Sequence, residues 1–290
     1  MTEEEKKDLI SNIRKEFESL SKGQKLIARY IIDNYDKAAF MTAAKIGEVV
    51  GVSESTVVRF ANTLGYPGYP NLQDALQELI KNKLTTVQRI GMDDYSNKGV
   101  AIKKVLKKDM DNIRNTIDEI DVEVFEQAVA SILKARKVYI IGLRSSNALA
   151  EYLGFYLRVM LDDVQVVSLG ISDIFEQLLR IGEGDMVIGI SYPRYSKRTL
   201  EAVRYAKGQG AKIVAITDSD TAPISAMADY ILYAVSNMHS FVDSLVAPMS
   251  LINSLIVGIG MEMKTEITEY FKELEGIWEE YNVYDDIYRG

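Results

Sequence analysis

A chain of 290 residues, 47% apolar and 26% charged, has the length and composition for two soluble domains with proper cores. It holds no cysteine, which excludes a disulfide framework and a thiolate metal site. The net charge of −8 speaks against an extended nucleic-acid surface, yet residues 1–90 carry 13 Lys/Arg against 12 Asp/Glu while the remainder carries 21 against 30. The first part is therefore not repelled by DNA, and the few phosphate contacts it can make per subunit imply binding that depends on dimerisation and fades with salt.

Residues 2–20 read as an amphipathic helix with Leu9, Ile10, Ile13, Phe17 and Leu20 on one side. Ser21 caps a second helix, to about residue 35, in which Leu26, Ile27, Tyr30 and Ile31 repeat at helical spacing. Residues 43–69 read as a helix-turn-helix. Ile46, Val49 and Val50 are helically spaced, and Gly51, free to take a positive φ, stops that helix. Ser53 caps the next, with Thr56 where a capping box would prefer Glu or Gln. Val57, Phe60, Ala61 and Leu64 form its buried stripe, and Gly65 with Pro67 ends it. Gly47 leaves room where the two helices touch, and Val57 and Phe60 plug that corner. The outer face keeps Ser53, Glu54, Ser55, Thr56, Arg59, Asn62 and Thr63. Short polar side chains with one Arg suit the reading of double-stranded DNA, an operator, in the major groove. An ordinary helical corner shows the same pattern. After a double turn at 65–70, Leu72, Leu76, Leu79 and Ile80 mark a further helix that closes an all-α domain over residues 1–80.

Residues 81–120 read as a linker followed by a connecting helix. The stripe of that helix, Ile102, Val105, Leu106, Met110, Ile113 and Ile117, packs either on its own domain or on a second subunit. From residue 121 the pattern alternates: helices at 122–135, 148–160, 174–179 and 197–207, and short strands at 137–142, 164–168, 185–190, 211–217 and 230–235. Runs such as VYIIG, MVIGIS and KIVAIT are apolar on both faces, as a parallel sheet covered on both sides requires. The expectation is a five-stranded α/β sandwich over residues 121–265. One long helix, over about 243–275, and a Tyr- and acid-rich tail with Trp278 follow, residues 266–290 being the helix end and tail. The apolar run at 250–263 contains Asn253 and glycines and is too short to span a membrane. With no signal peptide and no cysteine, the expected location is the cytoplasm.

In open parallel sheets, ligands bind beyond the carboxyl ends of the strands. Three such ends carry candidates here: Gly142-Leu143-Arg144-Ser145-Ser146-Asn147, the stretch from Ser191 to Thr199, and Thr217-Asp218-Ser219-Asp220. The first two open helices, whose N-terminal amides and hydroxyls suit a phosphate. Taken singly, each Ser or Thr is better explained as an N-cap. An isomerase would need a general base, and His239, Glu176 and Glu151 are the groups in reach. No cofactor or metal is expected.

At these residues the chain resembles the RpiR-type transcriptional regulators over nearly its whole length. VVGVSESTVVRFANTLGYPGYPNLQ is similar to their helix-turn-helix domain, and residues from about 121 to 260 to the sugar isomerase (SIS) domain. The resemblance implies a DNA-binding regulator, not an enzyme, that senses a phosphosugar and acts as a homodimer or higher oligomer, with a phosphosugar isomerase as the alternative. It further implies that the first phosphate loop falls on Gly142 to Ser146, with Arg144 where a second Gly is common. The second loop falls on Ser191 to Ser196, where Pro193 replaces a Ser, Arg194 a Gly and Ser196 a Thr. Ser145, Ser146, Ser191 and Ser196 are then ligand candidates, with Thr199 on the helix side. Arg144 and Arg194 either meet a second acidic group on the ligand or point to solvent or to acids across a subunit contact.

Overall fold

The computed structural model describes residues 9–80, 98–170, 172–238 and 242–284. The expected linker over 81–97 and His239 lie outside the described residues. The chain divides into two compact units between Tyr95 and Ser96.

The first unit is all-α. Helix α1 (Leu9–Glu16) tightens into a 3₁₀ turn at Phe17–Ser19. Helix α2 (Lys22–Asp33) starts from a full capping box of Ser21 and Gln24, and Asn34 interrupts it before the short α3 (Tyr35–Ala38), which the sequence pattern did not separate. Helices α4 (Ala43–Val50), α5 (Glu54–Thr63) and α6 (Tyr69–Ile80) follow. Helix α6 begins within the expected double turn, because Pro70 is tolerated in a first helical turn, where its missing N–H has no partner to lose. Ile13, Ile27, Ile31, Ile46, Val57, Phe60, Leu72, Leu76 and Ile80 are fully buried. Leu26 and Val49, expected on the buried stripes, are exposed. Ile27, Ala28 and Ile31 set the inner face of α2, and Ala43, Ile46 and Gly47 that of α4.

The second unit opens with α7 (Lys98–Glu119) and α8 (Val122–Leu133). Then come β1 (Val138–Ile141), α9 (Asn147–Met160), β2 (Val164–Val167), α10 (Ile174–Gln177), β3 (Met186–Ile190), α11 (Lys197–Gly208), β4 (Lys212–Thr217) and β5 (Tyr230–Tyr233). The sheet order is β2-β1-β3-β4-β5, and every pair is parallel. Side chains alternate between faces, so Val138, Ile140, Ile188, Ile190, Val214 and Ile216 pack in one core with α8, α9 and α12. Tyr139, Ile141, Val187, Ile213 and Ala215 pack in the other with α10 and α11.

The single C-terminal helix expected over 243–275 is two helices. Helix α12 (Val246–Glu262) buries Leu251, Ile252, Leu255 and Ile259, whereas α13 (Lys264–Glu280) buries no residue. The backbone breaks at Met263 (φ −110°, ψ 29°), where the apolar run ends, and the two axes differ by 101°. Among the described residues no single helix is long and apolar enough to cross a membrane.

Helix α7 leaves most of its apolar stripe outside its own unit. Its attachment to the second unit is polar: Thr116 Oγ1 accepts from Val235 N–H (2.9 Å), and Asn112 Nδ2 donates to Asn237 O (3.2 Å). Ser244 Oγ donates to Asp109 Oδ1 (2.6 Å). Asn112 and Thr116 are buried, while Ile102, Leu106, Met110 and Ile117 of the apolar stripe are 60–65% exposed.

Candidate functional site

In the first unit the corner between α4 and α5 is held by backbone. Gly51 adopts φ 77°, and the N–H groups of Gly51 and Val52 both donate to Gly47 O, at 2.9 and 2.8 Å. A Cβ on Gly47 would lie 2.7 Å from Val52 O and 3.3 Å from Glu54 N, so this position has no room for a side chain. Ser53 caps α5 by accepting from Thr56 N–H. With Thr at the third position no capping box forms; instead the Ser53 hydroxyl lies 2.9 Å from Ser55 Oγ and 2.8 Å from Thr56 Oγ1. Arg59 Nε donates to Ser55 O (3.2 Å), which lays the guanidinium along the helix toward its N-terminal end.

Ser53, Glu54, Ser55, Arg59 and Asn62 are exposed along α5, and Thr56 is half-buried. Thr63 is occupied: its hydroxyl donates to Arg59 O and accepts from Gln24 Nε2 (2.8 Å), tying α5 to α2. A polar row on α6, unmarked by apolar periodicity, supports this corner. Tyr69 Oη and Gln73 Nε2 both donate to Met41 O, and Gln77 Nε2 donates to Ala39 O (3.0 Å), fixing the link that leads into α4. The three stand at intervals of four residues, a signal visible in the sequence.

In the second unit the strand order places β1 between β2 and β3. The chain leaves β1 toward one side and returns on the other, so the loops after β1 and β3 diverge and leave a crevice. A cavity of about 450 Å³ lies there, within the range of small-molecule sites. It is lined by Leu143, Arg144, Ser145, Ser146, Ile190, Ser191, Tyr192, Pro193, Arg194, Ser196 and Asp243. The two hydroxyl-bearing loops thus meet in one place. Gly142 stands behind the first, where a Cβ would lie 2.7 Å from Ser146 O.

The N-cap reading holds for some hydroxyls and not for others. Ser196 does cap α11, accepting from Thr199 N–H at 3.3 Å. Ser146, buried at the cavity wall, makes no capping bond to α9. Ser191 Oγ is buried and has no hydrogen-bond partner among the described residues. The Tyr192 hydroxyl is likewise buried without one, and burial pushes its phenol well up, so it stays protonated. Thr217 Oγ1 donates to Ser191 O (2.7 Å) and Tyr195 Oη donates to Asp218 Oδ1 (3.0 Å), so the third candidate loop braces the second and does not line the cavity.

Arg144 (φ 60°) and Arg194 (φ 66°) hold left-handed backbone that costs a side-chain-bearing residue on the order of 1 kcal/mol. Both are exposed at the cavity. Asp243, which no motif marked, brings a carboxylate to the same wall. Glu176 is committed to a capping box with Asp173, and neither it nor Glu151 lines the cavity. Among the described residues no cluster of His, Cys, Asp or Glu could hold a metal.

Thr199 is fully buried behind the cavity wall, its hydroxyl unpaired among the described residues. Replacing that hydroxyl by a methyl removes an unsatisfied polar group at constant shape. Thr199→Val is therefore expected to raise stability by about 1 kcal/mol in urea unfolding. A loss of stability would show that the hydroxyl has a partner.

Comparison with known proteins gives the same two parts. Residues 7–83 match the helix-turn-helix domain of the rpiR family and residues 131–258 match the SIS domain. An uncharacterized HTH-type transcriptional regulator of Haemophilus influenzae is 28% identical over 78% of this chain and 79% of its own. The sugar isomerase domain of an RpiR transcription factor from Sphaerobacter thermophilus superposes with a TM-score of 0.57 at 27% identity, covering 59% of this chain and 96% of that one. The Vibrio vulnificus NanR protein complexed with ManNAc-6P has a TM-score of 0.55 at 20% identity, covering 93% of this chain and 97% of that one.

Proposed function

Because the chain belongs to the RpiR-type transcriptional regulators, a helix-turn-helix domain of the rpiR family joined to a SIS domain, we propose how its two sites work together. Helix α5 reads an operator, with Ser53, Glu54, Ser55, Thr56, Arg59 and Asn62 as the contacting residues. The crevice between the β1 and β3 loops takes a phosphosugar or a related anionic metabolite, through Ser145, Ser146, Ser191 and Ser196. The observation that carries the effector site is Ser191: a buried hydroxyl without a partner among the described residues, at the switch point of a parallel sheet, beside two helix-opening loops. The complex of Vibrio vulnificus NanR with ManNAc-6P supports the same class of effector. The chain acts as a homodimer, so that two α5 helices meet half-sites about 34 Å apart or a multiple of it.

Selection of duplexes from a random DNA pool by the full-length protein, with and without a phosphosugar panel, tests this reading. An enriched inverted repeat whose binding shifts with one phosphosugar is the expected outcome. Asp243 on the cavity wall favours the second reading, an isomerase, because a carboxylate there can act as a base on a bound sugar. No enriched repeat together with phosphosugar turnover would overturn the regulator.

Arg144 and Arg194 extend the site toward a second acidic group on the effector. Arg144→Gly keeps the left-handed turn without a Cβ, so stability is expected to hold or rise by up to about 1 kcal/mol. Affinity is expected to fall about tenfold for a ligand with two acidic groups and little for a simple phosphosugar. Equal losses for both ligands would end the assignment.

The link between the sites runs through Ser244. It follows the cavity residue Asp243 and is hydrogen-bonded to Asp109 on α7, the first element after the segment that leads from the helical unit. Ser244→Ala is expected to leave effector and operator affinities within about threefold while the factor by which one changes the other falls toward unity. Titration of labelled operator with and without effector measures it, and an undiminished factor would rule this link out.

A further inference from the structure

We propose that the outer face of α7 is the surface on which two copies of this chain associate, with the two helices antiparallel. The helix has 22 residues, about 33 Å of length. One side is spent on the second unit through Asp109, Asn112 and Thr116. About a quarter-turn away run Ile102, Leu106, Met110, Ile113 and Ile117, at steps of four, four, three and four. Single exposed apolar side chains are ordinary on a protein surface. Four of the largest, each 60–65% exposed and aligned on one helix, make a contiguous seam of the kind that helices bury against each other.

Charge names the occupant. Residues 98–108 carry Lys98, Lys103, Lys104, Lys107 and Lys108 and no acid, whereas residues 109–119 carry Asp109, Asp111, Asp118 and Glu119 against the single Arg114. Parallel self-pairing would set Lys103 and Lys107 against their own copies. Antiparallel pairing, crossing near Met110, sets the basic half against the acidic half and brings Lys103 toward Asp118 of a second copy. The helix is thus complementary to itself in one orientation.

The inference deepens the dimeric reading given above, and the chain has no native cysteine to confuse its test. Single-cysteine variants of the full-length protein are oxidised mildly and run without reductant. Met110→Cys, near the crossing, is expected to link to itself. Ile102→Cys and Ile117→Cys are expected to link when mixed and not singly. In sedimentation equilibrium the wild-type chain is expected to associate. Leu106→Asp with Ile117→Asp, two exposed sites that leave the monomer fold intact, is expected to weaken that association about a hundredfold. Self-linking of Ile102→Cys would overturn the antiparallel arrangement. A wild-type monomer would show that the seam is covered from within the chain, and would sink this proposal and the dimeric reading together. An oligomer that keeps its mass in the double variant sinks the α7 face and leaves the dimer standing.

Discussion

Gly47→Val is expected to abolish operator selection and to lower the stability of the helical unit by about 1–3 kcal/mol. In an ordinary helix interior the change from Gly gains backbone entropy, worth roughly 0.5–1 kcal/mol for Ala. Here the added Cβ meets Val52 O, Glu54 N and the Ser53 carbonyl carbon, at 2.7, 3.3 and 3.4 Å. These are backbone atoms of the turn itself and cannot swing aside as the end of a side chain would. Relief requires the turn to open, which moves the Ser53 cap and the whole N-terminal end of α5. Gly51→Ala makes the informative control. Its Cβ meets nothing within 4 Å, so its only cost is the left-handed φ of 77°, about 1 kcal/mol, with the corner preserved. Thermal melts and titrations of the selected duplex should therefore rank Gly47→Val far below Gly51→Ala. Wild-type DNA binding by Gly47→Val would mean that this corner is not the reading element.

Ser191→Ala is expected to separate stability from function. The hydroxyl is buried and unpaired among the described residues, so deleting it removes a desolvated polar group and should hold stability or raise it by about 1 kcal/mol. A hydrogen bond to a charged ligand is worth about 1.5–3 kcal/mol, so effector affinity should fall roughly ten- to a hundredfold. Structural hydroxyls behave the other way, losing stability without touching ligand. Calorimetric titration with the effector found by the panel, beside a urea melt, reads both signs. Loss of stability with unchanged affinity would return Ser191 to the status of a packing residue.

The sequence made the helical corner legible because each of its devices is local. Gly47, Gly51, Ser53 and the Val57–Phe60 plug lie within fourteen residues, where spacing alone says what touches what. The three central strands were legible because both of their faces are apolar. Patterning could not show that Thr217 and Tyr195 brace the second loop, since those bonds span 26 and 23 residues. Asp243 enters the cavity by the same long-range route and stands in no recognisable motif. The break at Met263 was hidden because no Gly or Pro stands at the break itself; Gly258 and Gly260 lie inside the last turns of α12 and do not end it. For α7 the stripe was visible and its destination was not. Apolar periodicity says that a face is to be buried, not against what, and here three polar side chains claim the nearer surface.

The parallel sheet also dictates an order of events during synthesis. The hydrogen bonds and core of the helical unit close among residues 9–80, whereas β5 ends at Tyr233, some 150 residues later. At roughly 5–20 residues per second, the DNA-reading unit can be complete about 10–30 s before the last strand leaves the ribosome. Each ladder of the sheet must also wait for a crossover to fold, which makes such topologies slow. A nascent chain therefore passes through a period in which it carries a reading head but no sensor.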